Sequence, residues 1–170
     1  VGLTFGLGVH YAVASNVVID DYHNDAFNVS GDVESAGAGP AAFIGCVARD
    51  ALNERRGGSP GNRNNAWEIE DGAANIVLIA CRVENVSGNG FAVRNHGFDD
   101  DCTTGPVTMI GCRATNVDGN GFFVIGNRHP NNVAAVTLSG CSSDSVTTFT
   151  KGVRGLMLHD CDFSATTSIG

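Results

Sequence analysis

Lysine is almost missing from this sequence: Lys151 stands alone, and ten Lys and Arg face eighteen Asp and Glu, a formal net charge of −8 over 170 residues. A chain so short of cations is a poor general partner for nucleic acid or an acidic membrane. Charged residues reach only 16%, below the usual quarter, which suits a fold that buries most side chains in layers. No stretch approaches the roughly 18 apolar residues of a membrane span. Neither a basic segment nor a hydrophobic leader opens the chain. Helical periodicity is absent, with glycines interrupting every candidate window. Cysteine pairs of the Cys-x-x-Cys type, which would suggest zinc, do not occur.

What is present is glycine, 23 residues of it, and self-similarity. The segment NIVLIACRVENVSGNGFAV, from Asn75 to Val93, matches VTMIGCRATNVDGNGFFV, from Val107 to Val124. Aligning Cys81 with Cys112 superimposes Asn85 on Asn116 and Gly88-Asn89-Gly90 on Gly119-Asn120-Gly121. Weaker copies place Cys46, Cys141 and Cys161 in the same slot, and Asp21 takes it in NVVIDDYHNDAFNV. A recurring motif with variable insertions is the signature of a solenoid.

Alternation within each copy gives strands, not helices: Val107, Met109 and Gly111 share one face, as do Ile76, Leu78 and Ala80. Each coil reads as two strands joined by a polar link and a Gly-Asn-Gly turn. Stacking puts equivalent residues about 4.8 Å apart, predicting an aliphatic ladder of Val18, Phe43, Leu78, Met109, Leu138 and Leu158. A second ladder holds Phe27, Trp67, Phe91 and Phe122. Asn85 and Asn116 would form an asparagine rung bonded to backbone groups. The expected fold is all-β: a right-handed, single-stranded parallel β-helix of about six coils with loops enlarged on one side. Residues 1–170 are read as one domain, a piece of a longer solenoid. These coil features resemble the pectate-lyase-like superfamily, which includes polysaccharide lyases, glycoside hydrolases and phage tailspikes.

Five of the six cysteines occupy one coil position. Side chains stacked in parallel point the same way, so the reading is an interior row of small apolar thiols rather than a disulfide framework. Cys102, in GFDDDCTTGP, stands apart as either a loop staple or an exposed thiol. A row aligned as Ile19, Ile44, Ile79, Ile110 and His159 is outward-facing yet largely apolar, and a stripe of that kind calls for a cover.

A packed interior leaves chemistry to outward strand positions and loops. The densest polar cluster runs from Arg94 to Asp101, with Glu68 and Glu70 on the preceding coil and Arg128 and His129 on the next. Candidate catalytic residues are Asp99, Asp100, Asp101, His96 and Glu70, a set of carboxylates and a base suited to proton transfer. Candidate substrate-binding residues are Arg94, Glu68, Arg128 and His129, whose guanidinium groups could hold a sugar carboxylate or hydroxyl. The aspartates of Asp20–Asp25 offer hard oxygens for Ca²⁺, but the matching slots on the next coil read as Gly45 and Cys46. The expectation is therefore no cofactor and no metal.

The resemblance implies an enzyme that cleaves or modifies polysaccharide, a glycoside hydrolase or lyase, in a groove built by loops after the second strand of each coil. Its partner would be a polysaccharide, and its place extracellular or on a virion surface. The alternative is a non-catalytic structural or glycan-binding solenoid, a trimeric tailspike or adhesin segment, which the apolar row favours.

Overall fold

The computed structural model describes residues 2–6, 9, 11–31, 38–51, 65–95, 103–126, 133–150 and 153–169. Regular structure among them is strand throughout. After β1 (Leu3–Phe5), the first coil is β2 (Ala12–Ser15), β3 (Val18–Asp20) and β4 (Phe27–Ser30). The second is β5 (Ala41–Ile44), β6 (Val47–Ala51) and β7 (Trp67–Glu70), and the third β8 (Ile76–Ile79), β9 (Arg82–Val86) and β10 (Phe91–Arg94). β11 (Val107–Ile110), β12 (Arg113–Val117) and β13 (Phe122–Ile125) make the fourth. A short β14 (Val133–Ala134) then precedes β15 (Val136–Ser139) and a long β16 (Ser142–Thr150). β17 (Val153–Arg154), β18 (Met157–His159) and β19 (Asp162–Ile169) complete the stack.

Like strands of successive coils pair in parallel. One face runs β2-β5-β8-β11-β15-β18, and the other two share a sheet because β16 pairs with β12 at its start and β13 at its end. This is a parallel β-helix. Each coil carries three strands, not two: the polar link after each cysteine is itself a strand, as in Arg82–Val86. Three of the four insertions therefore follow the third strand of a coil, while the longest lies between β6 and β7, the second and third strands of the second coil.

One backbone requirement recurs between the first and second strands. Asn16, Gly45, Ala80, Gly111, Gly140 and Asp160 all adopt positive φ, between 50° and 61°. The left-handed region is open to glycine and tolerable for Asn and Asp, which explains the small or polar residue preceding each cysteine. Ala80, at φ 52°, is the strained member. A second left-handed row, Asp21, Asp50, Asn85 and Asn116, turns the chain out of the second strand.

The inward rows are apolar and dry. Ala14, Phe43, Leu78, Met109 and Leu138 align across the first face and are almost fully buried. The first coil thus contributes Ala14 to this ladder rather than Val18, which lies on β3 and faces outward at 52% exposure. Val17, not Asp21, precedes β3 where Cys46 precedes β6, and Asp21 follows that strand. The predicted aromatic ladder is present: Phe27 and Trp67 stack with ring centroids 4.3 Å apart, Trp67 and Phe91 at 5.0 Å, Phe91 and Phe122 at 5.0 Å.

The five cysteines among the described residues are free thiols, four buried and Cys161 half-buried. Each Sγ–H points to a carbonyl one coil back: Cys81 to Phe43 at 3.4 Å, Cys141 to Met109 at 3.4 Å, Cys161 to Leu138 at 3.4 Å. Cys102 lies outside the described residues.

Asparagine ladders lock the turns, and they bond amide to amide rather than to backbone alone. Asn116 Nδ2 donates to Asn85 Oδ1 at 2.9 Å, and Asn85 Nδ2 to Asp50 Oδ1 at 2.9 Å. A second ladder, absent from the sequence reading, runs Asn65, Asn89, Asn120 and Thr148 through contacts of 2.8, 3.0 and 2.7 Å. Glycines flank its rungs because the coils approach too closely for a side chain. A Cβ on Gly90 would lie 2.5 Å from the Gly121 carbonyl oxygen.

Two substitutions test this account by chemical denaturation. Trp67→Ala, which opens the middle of the aromatic stack, is expected to cost about 3–5 kcal/mol. Ala80→Gly is expected to stabilise by about 0.5–1 kcal/mol, because relief of left-handed strain outweighs the added chain entropy. Equal stability of Ala80→Gly and wild type would remove the strain assignment.

Candidate functional site

Alternation on the third strand of each coil sends Trp67 and Ile69 inward and Glu68 and Glu70 outward, and does the same for Phe91, Val93 and Arg94. Parallel registration then sets Ser30, Glu70, Arg94 and Ile125 in one outward row and Asn28, Glu68, Ala92 and Phe123 in the adjacent one. The expected juxtaposition of Glu70 and Arg94 is thus an in-register pair.

The cluster is tighter than a surface ion pair. Arg94 Nη2 contacts the Glu68 carboxylate, and Arg94 Nε lies 3.7 Å from Glu70 Oε2. Asn28 Nδ2 donates to Glu70 Oε1 at 3.0 Å, and Asn65 Nδ2 to Glu68 Oε2 at 3.2 Å. Although it points away from the core, Glu68 is only 3% exposed. Burial pulls the Arg94 guanidinium below its usual pKa, and the Asp25 carboxylate opposes that shift. Arginine nevertheless stays protonated in proteins, so one cation serves two carboxylates.

Backbone contacts fix the arginine in place. Its carbonyl accepts from Thr104 Oγ1 at 3.1 Å, while Thr104 Oγ1 accepts from Gly72 N–H at 3.2 Å. Asn65 is the link to the scaffold: its N–H donates to Asp25 Oδ1 at 3.2 Å, and its Oδ1 receives the Asn89 amide. The cluster is thereby wired to the asparagine ladder. Chemically it offers two carboxylates one strand alternation apart and a cation between them, groups able to hold a hydroxyl or exchange a proton with it.

Of the residues singled out from sequence, Glu68, Glu70 and Arg94 come together here. His96, Asp99, Asp100, Asp101, Arg128 and His129 lie outside the described residues. Sequence reasoning missed Asn28 and Asn65, whose roles depend on coil register and left no motif, and it weighed Asp25 only as a calcium ligand, whereas Asp25 accepts from the Asn65 N–H beside this cluster. It also set the wrong residues beside Asp20 and Asp21: their rung neighbours are Arg49 and Asp50, not Gly45 and Cys46. Arg49 Nε donates to Asp20 Oδ1 and holds that exposed carboxyl below the ordinary carboxylate range. Among the described residues, no group of three or more His, Cys, Asp or Glu side chains is placed to hold a metal ion.

Neither protein-family models nor curated proteins yield a match to this chain.

Removing the shared cation should expose the cost of the buried carboxylate. Arg94→Ala is expected to destabilise by about 3 kcal/mol, and Glu68→Gln in that background should recover part of the loss. Additive effects of the two changes in a double-mutant cycle would show that the contact carries no coupling.

Proposed function

We propose that this β-helix is a carbohydrate-active enzyme of the pectate-lyase-like kind, a glycoside hydrolase or lyase acting on a polysaccharide outside the cell or at a virion surface. The observation that carries the reading is Glu68: an outward-facing carboxylate, 3% exposed, sharing Arg94 with Glu70. Desolvated acid groups beside a specific charge partner cluster at functional sites more than elsewhere. An outward row that repeats once per coil also suits a ligand that itself repeats. In this reading Arg94 and Glu68 hold sugar hydroxyl or carboxylate groups, joined by Arg128 and His129. Glu70, His96 and Asp99–Asp101 supply the acid and base.

The test is release of reducing ends, or absorbance from unsaturated uronates, across a polysaccharide panel. Loss of about 100-fold or more in kcat/KM is expected in at least one of Glu70→Gln, His96→Ala, Asp99→Ala and Asp100→Ala, the size of a general acid–base contribution. Full activity in all four would sink the assignment, as would a panel without any turnover.

A second reading, a trimeric structural or glycan-binding shaft, is favoured by a different face. Ile44, Ile79 and Ile110 align on the outside of β5, β8 and β11 at 40%, 36% and 45% exposure. The row is flanked by Ser15, Ser139 and His159, so Ile19 does not belong to it. A flat apolar stripe on stacked strands is the kind of surface that subunits cover. Light scattering should then give a trimer mass that Ile79→Lys reduces to the monomer. A monomer at every concentration would remove this reading.

A further inference from the structure

A cleft of about 420 Å³ opens on the second-strand face, a different strand row from the Glu68–Arg94 cluster, and is lined by Arg82, Glu84, Gly111, Arg113, Thr115 and Ser142. Arg82 and Arg113 occupy the same outward position on adjacent strands β9 and β12, and Ser142 continues their row. Strand spacing puts their Cα atoms about 4.8 Å apart. Both are exposed, and among the described residues neither guanidinium makes a hydrogen bond or ion pair.

Of the nearby acids, Asp20 is engaged elsewhere, Glu84 shares the cleft, and Asp162 follows Ser142 at the end of the arginine row. In the parallel row, Asp20 is held by Arg49, which also lies near Asp50, and Glu84 faces Arg49 across the strands. Two like charges directly facing each other on paired strands destabilise a sheet. Here two arginines share the mouth of a cleft with one carboxylate, Glu84, and no ion pair among the described residues, on a protein whose net charge is −8. Two five-donor forks one rung apart, with the Thr115 and Ser142 hydroxyls beside them, match an anion with several oxygens.

We infer that Arg82 and Arg113 form a binding site for the acidic groups, carboxylate or sulfate, of an anionic glycan. The site deepens the glycan reading above, on which it rests, by naming the charge of the polymer. Glu84 completes it as an acceptor for sugar hydroxyls, and its charge disfavours continuous polyphosphate. The site needs no catalysis, so binding can be measured apart from turnover.

The experiment compares binding of fluorescent polyuronate, a sulfated glycan, neutral dextran and a single-stranded oligonucleotide, with inorganic sulfate as competitor. Wild type should bind at least one of the two acidic glycans, more weakly as salt rises. Arg82→Gln and Arg113→Gln should each reduce that binding at least tenfold while the melting temperature holds or rises, since a like-charge contact is removed. The ranking of polyuronate against sulfated glycan identifies the anion. Absent binding of both acidic glycans, undiminished binding in both arginine variants, or equal binding of the oligonucleotide would overturn the site. Acidic-glycan binding without cleavage of any panel member would remove the catalytic reading and leave this one. Cleavage of neutral glycans by a chain whose arginine variants bind acidic ones normally would do the reverse.

Discussion

The structure depends on in-register stacking of coils. Strands inside the two large sheets pair with the coil before and the coil after, which satisfies their backbone donors and acceptors, so no such strand is stable by itself. Registration then acts on side chains, because a residue placed inward on one coil must stack on its equivalents in the next. The left-handed residue between the first and second strands enforces this. Asn16, Gly45, Ala80, Gly111, Gly140 and Asp160 turn each coil by the same angle at the same place. Slippage by one residue would move an entire row from core to solvent.

Much of this was legible in the sequence wherever two coils shared a motif. Cys81 and Cys112 anchor a pair of coils nearly identical in length, and from them the buried Phe43-to-Leu138 ladder and the Phe27-to-Phe122 ladder both follow, whereas Leu158, in register with Leu138, is 47% exposed on the last coil. The first coil was misplaced because it has no cysteine. Ala12–Ser15 and Val18–Asp20 are two short apolar strands in succession, and alternation alone cannot say which one faces Phe43. The structure selects Ala14, with Asn16 supplying the left-handed turn. The third strand per coil was hidden for a related reason. Arg82–Val86 looks polar because its outward positions carry Arg and Glu, although Val83 and Val86 are fully buried.

The candidate site was half legible for the same physical reasons. Glu70 and Arg94 follow the aromatic positions by a fixed number of residues, so aligning Trp67 with Phe91 places them side by side. Asn28 and Asn65 have no such anchor: Asn28 bonds Glu70 across two coils' strands, and Asn65 reaches Glu68 from the turn before β7. Their contributions arise from packing, which a one-dimensional pattern does not encode. The Arg82–Arg113 pair was visible as a repeated Cys-Arg dipeptide, but its place in a shared cleft beside Glu84 emerges only from the register of β9 and β12.

The outward faces differ in how tightly they are bound to folding. Ile44, Ile79 and Ile110 touch solvent, so exchanging them for polar residues changes the surface and little else. Arg82 and Arg113 are exposed and face each other, so the fold gains nothing from their charge. The Glu68–Arg94 contact is different, because Glu68 is shielded from water and tied through Asn65 to the ladder that spaces the coils. There, loss of a functional group is also loss of a structural one, and activity can be interpreted only beside a stability measurement. A solenoid permits this division because its core is specified one rung at a time, leaving each outward position free for an independent task unless, as at Glu68, it is buried again from outside.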